Sequence, residues 1–135
     1  HAIGRLDKDS EGLILLTNHG PMVTYYLNSG IPHEREYLVW TEPALTNEQI
    51  DQLQSGVMLG DHVTAPCQVQ RISQSLIKII LTEGKNRQIR RMVEVAGAFV
   101  TRLKRIRFDH YKLGKLERGK FQEVAFPKEV DPKHN

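Results

Sequence analysis

Cysteine is nearly absent. Cys67 stands alone, so no disulfide can form within the chain, which fits a reducing compartment. It reads as a buried apolar residue rather than a nucleophile. Long apolar runs are missing too: the longest are residues 13–16 and 77–81, the second broken by Lys78. Neither approaches the ~20 residues that a bilayer-spanning helix needs. No segment joins a basic start, an apolar stretch and a small-residue cleavage site, so no secretory signal is visible. The expectation is a cytoplasmic protein with no membrane partner. The histidines (His1, His19, His33, His62, His110 and His134) are scattered without metal-ligand spacing, and no metal is expected. A glycine-rich phosphate loop is also lacking, which leaves nucleotide hydrolysis unsupported. There is no internal repeat and no low-complexity tract.

What is present describes one domain of 135 residues, 39% hydrophobic and 26% charged, with enough apolar material for a core. The net charge of +3 is too small to imply a partner by itself. Its distribution says more. Residues 85–107 hold Lys85, Arg87, Arg90, Arg91, Arg102, Lys104, Arg105 and Arg107 against the single acid Glu94. Such a stretch is either a solvated basic face or a surface that tracks phosphates.

Periodicity predicts an α+β chain. Residues 13–16 read as a short buried strand, and Pro21 opens a helix with an apolar face of Met22, Val23, Tyr26 and Leu27 that Asn28-Ser29-Gly30 stops. Residues 35–41 alternate as a strand covered on both faces. Thr46-Asn47-Glu48-Gln49 is a capping box for a helix ending near Gly56. Residues 67–72 and 76–81 form a hairpin across Ser73-Gln74-Ser75, and Asn86 caps a helix running to Gly97 with Ile89, Met92, Val93 and Ala96 on one face. Residues 99–108 alternate as a strand. Residues 111–113 and 121–126 read as two last strands around the turn 117–120, and the polar residues 127–135 as a loose tail. The sum is a largely antiparallel sheet with two or three flanking helices.

The stretch that organises the chain is Gly4-Arg5-Leu6-Asp7-Lys8-Asp9-Ser10-Glu11-Gly12, which feeds Leu13-Ile14-Leu15-Leu16. Glycine suits a turn with φ > 0 or a close backbone approach, and a charged loop tied to a strand can hold a reactive side chain in place. Asp7, Asp9 and Glu11 compete for any chemistry. The spacing mimics the start of a calcium loop, but the twelfth position is Asn18 rather than a bidentate Glu. Asp7 and Glu11 could flank a glycosidic bond, although nothing visibly separates their pKa values. Asp9, Ser10 and Glu11 are expected to shape the loop.

Gly4 to Asn18 resembles the catalytic motif of the pseudouridine synthases, in the RsuA branch. Glu34-Arg35-Glu36-Tyr37-Leu38-Val39 is similar to that family's tyrosine motif, and the stretch from Glu83 to Met92 (Glu-Gly-Lys-Asn-Arg-Gln-Ile-Arg-Arg-Met) to its third motif. Thr17-Asn18-His19-Gly20 and His33-Glu34-Arg35-Glu36-Tyr37 are most similar to the RluF type. The likeness extends from the first residue to Phe126, so residues 1–126 are expected to be a catalytic domain. It implies an S4-like RNA-binding domain and an opening strand ahead of the motif. The chain begins at His1 without either, so an N-terminally truncated sheet is expected.

The reaction that the resemblance implies breaks the N1–C1′ bond of a uridine in RNA, turns the base and joins C5 to C1′. No oxidation or hydrolysis occurs, so no cofactor is expected. One ionised carboxylate is needed, as nucleophile or as base, and the motif match assigns it to Asp7. The same match implies that Arg90 ion-pairs with that Asp. It further implies that Arg5 fills the space of a flipped-out nucleotide and that Tyr37 stacks on the uracil. Ile89 is equally placed to pack on the base or in the core. Lys85, Arg87 and Arg91 belong to the expected RNA-binding surface. The substrate is expected to be ribosomal RNA of the large subunit, with small-subunit or transfer RNA as alternatives, and the enzyme a monomer. The rival reading is an RNA-binding module that keeps the fold without turnover.

Overall fold

The structure, a computed structural model, describes residues 1–131. In chain order its elements are β1 (Ala2–Ile3), β2 (Glu11–Gly12), β3 (Leu15–Leu16), α1 (Gly20–Leu27), β4 (Arg35–Glu42), α2 (Asn47–Ser55), β5 (Gln68–Ser73), β6 (Leu76–Leu81), α3 (Gln88–Ala96), β7 (Phe99–Phe108) and β8 (Tyr111–Lys112). A short 3-10 turn, Lys128–Val130, follows. The main sheet runs in the order β2-β7-β4-β6-β5 with β8 also on β7, while β1 and β3 pair separately. Each pairing is antiparallel except β2 on β7, which is parallel. The fold is therefore α+β with a largely antiparallel mixed sheet, as periodicity predicts.

Two apolar clusters hold it. The larger packs α2 and α3 on one face of the sheet, around Val39, Leu53, Ile77, Ile79, Met92, Val93 and Leu103. Burial of this kind, at roughly 25 cal/mol per Å² of apolar area, is the main favourable term in folding. The smaller cluster gathers Ile3, Leu13, Leu15, Met22, Tyr26, Phe108, Tyr111 and Val130 around α1. The start of α2 follows its sequence: Thr46 Oγ1 accepts from the Gln49 N–H at 3.1 Å, and Gln49 Oε1 accepts from the Thr46 N–H at 2.8 Å.

Strand β7 departs from the simple alternation predicted for it. Its register against β4 skips Thr101 and Ile106, so two irregularities interrupt the ladder. A bulge changes which side chains share a face, and here Leu103, Arg105 and Phe108 all end up buried. The run 13–16 is likewise no continuously buried strand. Leu13 and Leu15 face inward, whereas Ile14 is 46% and Leu16 74% exposed. In α1, Leu27 is exposed and Tyr25 packs against the small cluster in its place.

Three further expectations need correction. The residue before α3 is Arg87, not a capping Asn86; it sits in the left-handed region at φ 51°, ψ 34° and caps nothing with its side chain. Residues 121–126 form no strand, because no strand lies beside them to complete a ladder. They are fixed instead by the Tyr111 hydroxyl donating to Ala125 O at 2.7 Å and by the Phe126 ring against His19. The tail is not loose over its described part: Val130 is buried in the small cluster, and its carbonyl lies 3.0 Å from His19 Nε2. Residues 132–135 lie outside the described residues.

Candidate active site

The loop between Gly4 and Leu13 leaves the small cluster and returns to it. Ile3 and Leu13, fully or nearly buried in the small cluster, anchor its two ends. Both bracketing glycines have positive φ, +67° at Gly4 and +113° at Gly12. Their lack of Cβ is used for close approach: an added Cβ would lie 2.5 Å from the Phe108 ring at Gly4 and 2.2 Å from Arg105 O at Gly12. Within the loop a turn closes from the Ser10 N–H to Asp7 O at 2.9 Å.

Cations from the start of α3 grip this loop from the other side. Arg87 donates twice to the Asp9 carboxylate, at 3.0 and 2.9 Å, and its Nη1 is 3.6 Å from Asp7 Oδ2. Arg90 donates to Asp9 O at 2.8 Å and to Ser10 Oγ at 3.1 Å, and lies 3.6 Å from the Asp9 carboxylate. The expected Arg90–Asp7 pair is thus not what the structure shows. Among the described residues the cation within 4 Å of Asp7 is Arg87. The left-handed backbone at Arg87 is a conformation that non-glycine residues adopt at a cost of order 1 kcal/mol, and from it the side chain reaches both carboxylates. Asp7 keeps a third of its side chain open to solvent.

Asp9, Ser10 and Glu11 do shape the loop. Glu11 pairs with Arg102, whose guanidinium also covers Trp40 at 4.5 Å, so Glu11 is engaged away from Asp7. The Arg87 hydrogen bonds hold the Asp9 carboxyl down at about 2. A depressed carboxyl pKa means that the pair is intact above the ordinary value of 3.8 and is lost only as pH falls through about 2. Carbon-13 NMR of the Asp9 carboxyl should therefore titrate near pH 2. A midpoint near 3.8 would show that Arg87 does not hold Asp9 in solution.

The other expected site residues divide. Arg5 is exposed, and among the described residues no hydrogen bond or ion pair holds it. Tyr37 is half-buried beside the main cluster and shares a cross-strand row with the loop, Gly12 opposite Arg105 and Arg105 opposite Tyr37. At 4.7–4.9 Å per strand this sets Tyr37 about 10 Å from Gly12 along the row. Ile89 is only 4% exposed inside the main cluster, so its side chain serves the core and presents no surface to a base. Lys85 is exposed. Arg91 turns to Leu59 O at 2.8 Å and Asp61 at 3.0 Å, which ties α3 to a distant loop.

The basic stretch 85–107 is consequently not one phosphate-tracking face. Arg91, Arg102 and Arg107 are bound to Asp61, Glu11 and the Glu34–Glu36 pair, and Arg105 is 1% exposed. Cys67 is half-buried, its thiol donating to Leu53 O and pushed up to about 11 by burial.

A sequence profile of the family described as RNA pseudouridylate synthase matches residues 1–95, a span that includes the whole Asp7 loop and most of α3. The chain belongs to the pseudouridine synthase family. It is 42% identical over 129 residues to a dual-specificity RNA pseudouridine synthase RluF of Salmonella typhi, covering 96% of this chain and 45% of that protein. A ribosomal large subunit pseudouridine synthase B of Bacillus subtilis is 33% identical over 136 residues, with 96% of this chain and 55% of the relative covered. The chain spans about half the length of these curated relatives. A crystal structure of a pseudouridylate synthase superposes with a TM-score of 0.87 at 26% identity, covering 93% of this chain and 56% of the other. These matches place the chain in the RsuA branch, on the RluF side of it.

Two residues have a place at this loop that the sequence does not show. Asp9 was assigned only to loop shape, yet it receives both arginines. Arg105 was counted with the basic surface, yet it lies beneath the loop. No sequence signal marks Arg105, because the register irregularities of β7 break the alternation that would assign its face.

Proposed function

We propose that this chain carries the uridine-isomerising centre of an RNA pseudouridine synthase, acting as a monomer on large-subunit ribosomal RNA. The observation that carries the reading is the Asp7 carboxylate, a third of it open to solvent and without a side-chain hydrogen bond among the described residues, on a loop fixed at both ends with a guanidinium 3.6 Å away. The reaction requires one carboxylate at C1′ or C2′, whether as nucleophile or as base. In that role Asp7 promotes cleavage of N1–C1′. The freed uracil turns, C5 bonds to C1′, the C5 proton leaves to solvent and N1 is protonated. Arg5, exposed and uncommitted, occupies the place vacated by the flipped nucleotide, and Tyr37 stacks on the base. Arg90 acts through Asp9 and Ser10, which keep the loop on α3. The RluF relatives are named dual-specificity enzymes, which makes transfer RNA the second substrate class to try.

The test is release of tritium from unmodified ribosomal RNA labelled at uridine C5. Release matched by new pseudouridine supports the reading. Silence on ribosomal and transfer RNA alike would favour a binding module without turnover.

Salt dependence offers a separate check. Arg5, Lys8 and Lys85 are the exposed cations on and beside the loop that no ion pair holds among the described residues. Three phosphate contacts predict that log K falls with log salt at a slope of about −2 to −3, against about −6 to −7 if all eight basic residues of 85–107 took part. A measured slope near the larger figure would mean that the paired arginines come free on RNA.

A further inference from the structure

We propose that Arg105 is a positioning residue for the Asp7 centre, a buried guanidinium that sets the spacing between the two ends of the catalytic loop. This rests on the isomerase reading above for its effect on rate, but not for its geometry. Arg105 is 1% exposed, and among the described residues no carboxylate lies within 4 Å of it. Its Nε donates to Leu13 O at 2.9 Å and its Nη2 to Gly4 O at 2.6 Å. Those two carbonyls flank the segment that holds Arg5, Asp7 and Asp9.

The rest of the residue completes the hold. Its own carbonyl accepts from the Leu13 N–H at 2.8 Å, and its Cα is the register partner of Gly12 on one side and Tyr37 on the other. The guanidinium lies over Phe108, 5.3 Å from the ring centroid, and the same ring closes against Gly4. One residue therefore contacts both ends of the loop through its side chain and ties the loop to the strand row of Tyr37 through its backbone.

Core filling does not account for this choice of side chain. A buried cation without a carboxylate is costly, and an apolar side chain of similar volume is generally the more stable occupant. What arginine adds is a rigid planar fork whose donors bond two acceptors at a set separation. Reaction rates respond steeply to such spacing, since misplacement of a reacting group by ~1 Å can cost about 100-fold.

The experiment uses Arg105→Met, which keeps volume and loses both bonds, and Arg105→Lys, which keeps the charge and loses the fork. Two readouts are taken on each: kcat and RNA affinity by tritium release and filter binding, and backbone amide hydrogen exchange. Arg105→Met should lower kcat about 100-fold while the RNA dissociation constant stays within about threefold. Arg105→Lys should recover part of that loss. Amide exchange should accelerate at least about tenfold for residues 5–13 and stay unchanged in β6 and α3. If Arg105→Met fails to fold, Arg105→Lys carries both readouts. If the wild type itself releases no tritium, the isomerase reading falls and exchange alone decides the clamp. Uniform acceleration across β6 and α3, unchanged exchange in 5–13, or a kcat within threefold of an active wild type would overturn the proposal.

Discussion

Gly12→Ala is expected to destabilise the protein by about 3–4 kcal/mol, near the upper end for a single substitution. Gly12 has φ +113°, where side chains other than glycine's are strained. The added Cβ would lie 2.2 Å from Arg105 O, 2.6 Å from Arg105 N and 2.9 Å from Arg105 C. These are backbone atoms of the central strand β7, already committed to β4, so they cannot yield as a flexible side chain would. Relief requires β2 to leave β7, which breaks the parallel pairing and the bond from the Leu13 N–H to Arg105 O. A melting temperature lower by roughly 10–15 °C should result. Gly20→Ala is the control, because a Cβ there meets nothing within 4 Å, and substitution at a compatible glycine is neutral or mildly stabilising. Equal melting temperatures for the two variants would show that the loop is not pinned to β7 at Gly12.

What the sequence revealed and what it concealed follow from how local each feature is. The capping box at Thr46 and Gln49 is complete within four residues, so α2 was legible in full. The glycines at 4 and 12 announced a close approach, though not the strand they approach. The cation beside Asp7 depends on the first turn of α3. With Arg87 in a left-handed conformation, its side chain and not that of Arg90 comes within 4 Å of Asp7, and no periodicity encodes that. The basic run 85–107 misleads for a related reason. Charge is local in sequence, but the acids that neutralise Arg91, Arg102 and Arg107 lie 30 to 91 residues away in the chain. Two register irregularities in β7 defeat a strict two-residue alternation. Residues 121–126 have strand-like composition, but a strand needs a neighbour, and composition does not supply one.

Asp7→Asn is expected to reduce turnover by about 1,000-fold or more while leaving the fold and RNA affinity intact. An amide is neither nucleophile nor base at this position, yet it matches the carboxylate in size. The loop has other ties: Arg87 keeps its two bonds to Asp9, Arg90 keeps Asp9 O and Ser10 Oγ, and Arg105 keeps Gly4 O and Leu13 O. Loss of one negative charge beside the RNA should leave the dissociation constant equal or slightly lower, within about threefold. The three carboxylates of the loop are thereby separable in role, since Asp9 and Glu11 hold arginines by direct hydrogen bonds and the Asp7 side chain makes none among the described residues.

The most direct test of the account is the initial rate of tritium release from saturating C5-labelled ribosomal RNA, measured side by side for the wild type and Asp7→Asn. Release by the wild type is expected, with none above background from the variant at equal bound RNA. Release by Asp7→Asn at a rate comparable to the wild type would contradict it and move the chemistry off Asp7.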